Sequence, residues 1–253
     1  THTVSYGPLA TGFAIKPPGP LVFVGSRRSA DRPSSDNVMN GMCAAKTALS
    51  DRGEVVLVMH GTTSDDACAI HRGTRVRKMH TSRRDAFQTI GDGIIGSVTY
   101  PSLDVSLSSH AVKRGNCEPR LKDKLEEKCA IIWYYPGMDP ALLSAWNGYK
   151  GIVLAGTGLG HCGTDVIARI REMSAAGTIF VMTSQCLHGR VCDRVYDTGR
   201  DLLGAGVIEG EDMLPEVALV KLMWVLGNSS SLSEARLMMA QNLAGEINRR
   251  SSV

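Results

Sequence analysis

The sequence lacks the features that mark membrane proteins and cystine-stabilised secreted proteins. No run of 18 uninterrupted apolar residues occurs, so no membrane-spanning helix is expected, and we find no signal-peptide pattern. The seven cysteines are odd in number and irregularly spaced, whereas disulfide frameworks are typical of shorter, loop-rich chains. These absences predict reduced thiols in a cytoplasmic protein that has no membrane partner.

A strong charge surplus is also absent. The 28 lysines and arginines exceed the 25 acidic residues by only three, and tight non-specific binding of a polyanion needs a concentrated positive surface. Any basic site in this chain is therefore local. The 253 residues, of which 43% are hydrophobic, suffice for one large α/β domain or for two of moderate size.

Apolar runs and helical spacing predict the elements of the first half. Residues 19–26 and 53–61 are short apolar runs typical of buried strands, and residues 38–51 between them have apolar side chains at helical spacing. Residues 94–104 predict a strand or a hairpin. This order indicates βαβ units and a parallel sheet.

The same alternation returns after a polar stretch, residues 103–128, which we interpret as the connection between two domains. Further along, the pattern predicts strands at 129–137, 151–156 and 178–186, and helices at 138–148, 164–177, 215–227 and 232–247. Short alternating elements of this kind are typical of a doubly wound domain. We predict two α/β domains, residues 1–118 and the smaller 119–253.

Two groups in the second half invite a ligand-binding interpretation. GTGLGH at 156–161 follows a predicted strand, but it lacks the third glycine of a dinucleotide fingerprint and an acidic ribose-binding residue, so a tight turn is favoured. A metal site could be assembled from the nearby histidines and cysteines, His161, Cys162, Cys186, His188 and Cys192. No Cys-x-x-Cys or His-x-x-x-His pair is present, so ordinary thiols are favoured.

Two hydroxyl-bearing segments are candidates for nucleophilic catalysis. HGTTSDD at 60–66 ends a predicted strand, where serine, threonine and aspartate also serve as turn and cap residues. Thr1 could act as an N-terminal nucleophile activated by its own amine. Hydrolases of that kind pack two antiparallel sheets face to face, and the alternation of strands and helices argues against that fold.

The basic stretch 73–87, GTRVRKMHTSRRDAF, contains four arginines and a single lysine, Lys78. It could be a local nucleic-acid patch. It could equally surround a catalytic lysine, because neighbouring cations such as Arg75, Arg77, Arg83 and Arg84 disfavour an ammonium and lower its pKa. Local physical chemistry alone leaves both interpretations open.

Longer strings resemble the asparaginase/glutaminase family of threonine amidohydrolases, and within it the ammonia-producing subunits of tRNA-dependent amidotransferases. The resemblance covers almost the whole chain. Its main strings are residues 22–36, 55–87, 156–161, 181–191, 211–227 and 242–247. Ser34, Asp36 and Asn40 fit the family's S-x-D-x-x-x-N pattern. The resemblance implies a two-domain asparaginase-like α/β fold, with a larger parallel or mixed-sheet domain and a smaller doubly wound one.

The resemblance implies that a threonine hydroxyl attacks the side-chain amide of glutamine or asparagine, releases ammonia and leaves an acyl-enzyme for water to hydrolyse. The family's lysine maps onto Lys78, which would accept the proton as general base. The threonine and aspartate of the family's H-G-T-D-T motif map onto Thr1 and His2. Gly25 and Ser26 match a substrate-binding segment.

The sequence departs from the family in several respects. The nucleophile motif T-G-G-T is absent from the 253 residues and would lie upstream of Thr1, so we expect a larger domain truncated at its start. His2 cannot supply the fixed negative charge of the family's aspartate, and Arg27 stands where glutamine is expected. The segment 60–66 matches a different strand end, so no catalytic role is assigned to its threonines. We therefore expect the chain alone to be inactive or nearly so.

The resemblance also implies partners. A tRNA-binding partner subunit would activate Glu-tRNA(Gln) with ATP and Mg and use the ammonia to form Gln-tRNA(Gln), so tRNA contact would be indirect. No cofactor is expected in this chain. A homodimer within a heterotetramer is implied. The alternatives are a free-standing L-asparaginase and a catalytically impaired interaction protein of the same fold.

Overall fold

Separate sheets divide the chain into two units. A computed structural model describes residues 3–115, 118–192 and 194–250, and the two units are Thr1–Lys122 and Asp123–Val253. The boundary expected from the sequence lay after residue 118. Within the described residues, no helix is both long enough and apolar enough to cross a membrane.

The first unit contains a five-stranded mixed sheet. Its elements in chain order are α1 (Tyr6–Ala14), β1 (Ile15–Lys16), β2 (Leu21–Val24), α2 (Asn37–Ala48), β3 (Val55–His60), β4 (Ala67–Arg72), β5 (Val76–Lys78), β6 (Phe87–Thr89), β7 (Gly96–Thr99), β8 (Val105–Leu107) and β9 (Arg120–Leu121). The strand order is β2-β3-β4-β7-β8. Only β2 and β3 pair in parallel, and the other three pairs are antiparallel. The parallel sheet that alternation indicated is therefore confined to the β2–α2–β3 unit, and the sheet as a whole is the mixed form that the family resemblance allowed.

Strand β3 is buried along its whole length, so both of its faces are covered. Val56 and Val58 lie in an apolar cluster with residues of α2. Their neighbours Leu57 and Met59 point to the opposite face, as alternation along a strand requires, and pack against Val76 and Phe87. The hairpin formed by β5 and β6 therefore covers the face opposite α2.

Several elements of the first unit have no clear signal in the sequence. Helix α1 carries Gly7, Pro8 and Gly12, residues that disfavour helix in isolation, and it buries Leu9 and Phe13. Strand β4 lies in residues 67–72, for which no element was predicted. The strand or hairpin predicted at 94–104 corresponds to β7, whose antiparallel partner β8 lies just beyond that range at Val105–Leu107. The polar stretch 103–128 is not entirely a connection, because it contributes β8 and β9.

The second unit is built on a four-stranded parallel sheet. Its elements are β10 (Cys129–Trp133), a 3-10 helix (Pro140–Trp146), β11 (Gly151–Gly156), α3 (Thr164–Ala175), β12 (Ile179–Ser184), α4 (Asp197–Gly204), β13 (Ile208–Glu209), α5 (Pro215–Asn228) and α6 (Leu232–Ala240). The strands lie in chain order, and every pair is parallel.

Helices cover both faces of this second sheet. Ile152 and Leu154 of β11 lie in one cluster with residues of α3 and α4. Gly151 points to the other face, where a Cβ atom would stand 2.6 Å from Leu222 Cδ2 of α5. This arrangement matches the expectation of a doubly wound second domain.

Two helix predictions in the second unit need correction, and one helix was missed. The helix expected at 138–148 is a 3-10 helix, and α4 was not predicted. The last helix ends at Ala240 rather than at residue 247. Beyond it, the chain is held by the buried ammonium of Lys221, which lies 2.7 Å from Glu246 Oε1 and donates to the carbonyls of Met239 and Gln241.

Candidate active site

Lys78 is the last residue of β5. It follows the part of the β5–β6 hairpin that packs against β3 through Val76 and Phe87. It was expected in a loop, but its backbone pairs with Phe87. The adjacent Met79 N–H donates to Ala86 O at 2.6 Å. A cavity of about 280 Å³ is lined by Lys78, Met79, His80 and Thr81. A rigid strand thus presents the lysine beside an open cavity.

Two features of its surroundings disfavour the ammonium form of Lys78. Burial lowers the pKa of Lys78 below its usual value, and the positive charge of Arg27 lowers it further. The sequence predicted this effect from cations close to the lysine along the chain. The cation that acts is instead Arg27, 51 positions away.

The neighbouring arginines do not form a free basic patch. Arg83 holds Asp85 through two hydrogen bonds of 2.8 and 2.6 Å. Arg84 pairs with Asp65 and donates to Ser34 O at 3.2 Å. These charges are compensated inside the unit. The geometry therefore favours the interpretation of this stretch as the surroundings of a catalytic lysine over that of a nucleic-acid patch.

Gly25 and Ser26 follow β2 directly, and Asp36 organises the loop that they begin. The Asp36 carboxylate accepts hydrogen bonds from Ser26 Oγ at 2.8 Å and from the N–H groups of Arg27 and Arg28 at 2.9–3.0 Å. Asn40, one helical turn later on α2, donates to Gly25 O at 2.9 Å. The loop is therefore fixed at both its backbone and its serine hydroxyl.

Hydrogen bonds from the Ser26 loop stabilise the negative charge of the buried Asp36 carboxylate. Burial on its own would raise the pKa of this carboxyl, but the hydrogen bonds from Arg28, Arg27 and Ser26 outweigh it and hold the pKa of Asp36 below its ordinary value. Asp36 is 1% exposed, so these bonds compensate a nearly complete loss of water. An ionised Asp36 is thus part of the loop's structure.

The hydrogen-bond network continues from α2 into the segment 60–66. His60 Nδ1 lies 2.6 Å from Asn40 Oδ1, and its Nε2 lies 3.0 Å from Asp65 Oδ1. In the same segment, Thr62 Oγ1 donates to Asp66 Oδ1 at 2.5 Å and accepts from Ser64 N–H. These side chains shape a turn, which agrees with assigning no catalysis to this segment.

The two remaining predicted catalytic positions, Thr1 and His2, lie outside the described residues. The chain just after them is described. Val4 packs against the cluster of Leu57, Met59, Val76, Ala86 and Phe87, which also supports the lysine hairpin. Of the predicted site, the structure therefore places Gly25, Ser26 and Lys78.

The two candidate groups of the second unit have structural explanations. In GTGLGH, Thr157 and His161 exchange backbone hydrogen bonds of 3.0 and 2.9 Å, and Gly158 and Gly160 adopt positive φ angles of 54° and 103°. The amides at both ends of this turn are consumed within it. Among residues 3–115, 118–192 and 194–250, no group of three His, Cys, Asp or Glu side chains could hold a metal ion.

Comparison with known proteins decides the family. Residues 1–111 match the family model "Asparaginase, N-terminal", and residues 128–239 match "Glutaminase/Asparaginase C-terminal domain". The L-asparaginase of Thermococcus kodakarensis is 35% identical, with a TM-score of 0.88 over 98% of this chain and 74% of that one. The chain belongs to the asparaginase/glutaminase family. L-asparaginase I of Vibrio cholerae superposes similarly, with 27% identity, a TM-score of 0.86 and the same coverage.

Curated relatives within this family are more similar in sequence. The D subunit of the glutamyl-tRNA(Gln) amidotransferase of Methanosarcina mazei is 56% identical over 250 residues, which are 98% of this chain and 59% of the relative. The corresponding subunits of Archaeoglobus fulgidus and Pyrococcus furiosus are 55% and 52% identical over 98% of this chain, and 59% and 57% of their own lengths are matched. The chain spans about three fifths of the length of these relatives.

Sequence reasoning missed two features of this site. Asp36 and Asn40 were matched to the family pattern, but no role was assigned to them. Their spacing of four residues places both on one side of the first turn of α2. Arg27 was noted only as a departure from glutamine. Its contacts lie 54 and 56 positions away, so no local pattern could have revealed them.

Proposed function

We propose that this chain is part of an ammonia-producing glutaminase subunit of a tRNA-dependent amidotransferase that converts Glu-tRNA(Gln) to Gln-tRNA(Gln). The observation that carries the proposal is the 48–56% identity with glutamyl-tRNA(Gln) amidotransferase subunits across nearly the whole chain. The solved L-asparaginases share the fold at lower identity. The substrate is accordingly glutamine, with asparagine as the related amide.

The site geometry supports amide hydrolysis in which Lys78 serves as the base. A lysine accepts a proton only as the neutral amine, and burial together with Arg27 lowers the pKa of Lys78 toward that form. The threonine that attacks the amide would pass its proton through this amine. Gly25 and Ser26, held by Asp36 and Asn40, form the substrate-side wall of our proposed site.

The partner subunit in this proposal supplies the tRNA chemistry. It binds Glu-tRNA(Gln), activates the γ-carboxylate with ATP and Mg, and consumes the ammonia. The compensated arginines near Lys78 support this division, because they offer little free charge for a phosphate backbone. In the proposed assembly, two copies of the ammonia-producing subunit form a homodimer within a heterotetramer.

Within this proposal, the 253 residues alone release ammonia from glutamine at no more than a residual rate. They contain no T-G-G-T motif, and His2 occupies the aspartate position. Ammonia release at ordinary enzyme rates by this chain alone would contradict the proposal.

A Lys78→Ala variant of the complete subunit, assembled with its tRNA-binding partner, tests the proposed base. We expect glutamine-dependent ammonia release to fall by about 10²- to 10⁴-fold, the usual effect of removing a general base. Lys46→Ala is the matched control, because Lys46 is exposed on α2. Ammonia is measured with and without Glu-tRNA(Gln). Unchanged release by Lys78→Ala, with the control also active, would exclude Lys78 as the base.

A free-standing L-asparaginase is the second candidate, favoured by the TM-scores of 0.86 and 0.88. Copurification distinguishes it, since an amidotransferase subunit is recovered with a tRNA-binding polypeptide. A catalytically impaired interaction protein is the third candidate. It would be favoured if His2→Asp in a chain that includes the T-G-G-T segment gave no gain in glutaminase activity.

A further inference from the structure

Arg27 connects the two loops of the candidate active site. Its backbone N–H donates to both carboxylate oxygens of Asp36 at 3.0 Å, which fixes the arginine in the Ser26 loop. Its guanidinium reaches the loop that follows Lys78, where it donates to Thr81 O and, at 3.2 Å through Nε, to Arg83 O. One side chain thus joins the substrate-side loop to the lysine hairpin.

The same guanidinium lowers the pKa of Lys78, second to burial. The other charged groups on the hairpin loop are differently engaged. Arg83 is paired with Asp85, and His80 Nδ1 accepts the N–H groups of Ser82 and Arg83 at 3.0 Å. Like charges repel, so the positive guanidinium on the neighbouring loop disfavours the ammonium form of Lys78.

We propose that Arg27 is a positioning residue that holds the lysine hairpin against the Ser26 loop and places its own positive charge beside Lys78. The inference rests on the proposed function for its meaning in catalysis, because only an amide-hydrolysing site needs Lys78 as a base. The glutamine expected at this position can donate hydrogen bonds but has no charge. Arginine supplies both the planar fork and the charge.

Three substitutions in the 253-residue chain separate these two contributions. Arg27→Gln removes the charge and keeps a donor, Arg27→Lys keeps the charge and removes the fork, and Arg114→Gln is the matched control. Arg114 also donates to two backbone carbonyls, Ser50 O at 3.1 Å and Ala48 O at 2.9 Å, at the end of α2 and just after it. Its contacts are unrelated to Lys78.

The readout is the pH dependence of Lys78 acetylation by acetic anhydride, followed by mass spectrometry with Lys46 as internal reference. Only the neutral amine reacts, so the midpoint of the profile reports the pKa of Lys78. The measurement does not require catalytic activity. We expect Arg27→Gln to lower Lys78 labelling at pH 8 by about 2- to 5-fold, the range for a partly screened neighbouring charge. Arg27→Lys should stay closer to the parent protein, and Arg114→Gln should match it.

Hydrogen exchange of residues 79–86 tests the positioning role. Both Arg27 variants should exchange faster in this segment than the parent protein and Arg114→Gln, because both lose the forked contact. A Lys78 profile in Arg27→Gln that coincides with the control would overturn the electrostatic role, and unchanged exchange would overturn the positioning role. If both effects appear while the complete, partnered subunit releases no ammonia, the inference stands and the proposed function fails.

Discussion

Asp36 illustrates how a single residue determines the shape of the candidate site. Its carboxylate accepts three groups of hydrogen bonds from the Ser26 loop, and Asn40 ties the same loop to His60. The depressed pKa of Asp36 means that its contribution to stability is complete above the ordinary carboxyl range and is lost as the pH falls through the still lower folded-state value. The loop should therefore keep its form at every pH above the ordinary carboxyl range.

His71 gives the first unit a second pH dependence. It lies on β4, is 2% exposed and places Nδ1 2.8 Å from Thr89 Oγ1. Burial lowers its pKa from 6.5 to about 4. Between those values the unfolded chain binds a proton that the folded chain does not, so stability falls as the pH drops from 6.5 toward 4. We predict a loss of about 2 kcal/mol between pH 7 and pH 5.

Urea unfolding at pH 7 and pH 5 measures this loss. His71→Gln, which cannot titrate, should lack this part of the pH dependence. His110→Gln is the control, because His110 is exposed and only its backbone atoms are seen to form hydrogen bonds. If the parent protein and His71→Gln lost equal stability between the two pH values, the assignment to His71 would be wrong.

At the scale of single residues, Lys78 as the base stays a prediction from the family resemblance, and local chemistry misjudged which cations act on it. Arg83 and Arg84 are close in sequence, yet both form ion pairs, with Asp85 and Asp65. The effective charge comes from Arg27, which approaches only when β2 and the hairpin are in place. Closeness in sequence therefore overestimated the effect of Arg83 and Arg84 on the pKa of Lys78. It could not anticipate the effect of Arg27.

At the scale of elements, helices α2 and α5 contain glycines in opposite environments. Gly41 of α2 is exposed, and a Cβ atom there would meet no atom within 4 Å. Gly227 of α5 differs, because a Cβ atom would stand 2.6 Å from Lys124 O. The same Gly→Ala substitution should therefore have opposite signs in the two helices.

We predict that Gly41→Ala raises the free energy of unfolding by about 0.5–1 kcal/mol, since alanine loses less backbone freedom in a helix. Gly227→Ala should lower it by about 1–3 kcal/mol, because the helix or the Lys124 backbone must shift. Urea denaturation of both variants at pH 7 gives the comparison. Changes of the same sign in the two variants would contradict the packing described for these helices.

Elements with a strong local pattern were the ones that sequence could predict. The runs at β3, β11 and β12 are continuous and apolar, and α3 and α5 have clear helical spacing. Short strands such as β5 and β6 are defined by their pairing and by packing against β3, which are non-local. The extra turns predicted after α6 failed because tertiary contacts to Lys221 redirect the chain.

At the scale of the whole molecule, each unit has its own sheet and its own buried clusters. The first unit places α2 and the lysine hairpin on opposite faces of a mixed sheet. The second unit encloses a parallel sheet between helices, with a large cluster that includes Phe180 and Met182. Alternation of strands and helices predicted the second architecture well, and it failed for the antiparallel half of the first, where β4, β7 and β8 follow one another without helices.

The second unit should fold as an independent domain because its buried charges are paired internally. Lys221 and Glu246 are both 0% exposed, lie 2.7 Å apart and belong to the same unit. We predict that a fragment of residues 123–253 unfolds cooperatively on heating and retains native-like circular dichroism. The control fragment, residues 123–231, lacks α6 and Glu246 and leaves the Lys221 ammonium without these partners. The shorter fragment loses this ion pair and the buried packing of Ala235 and Met239, and even a few kcal/mol is a large share of a small domain's stability. The control should therefore be unfolded or only partly folded, and a control as stable as the longer fragment would show that the pair is dispensable.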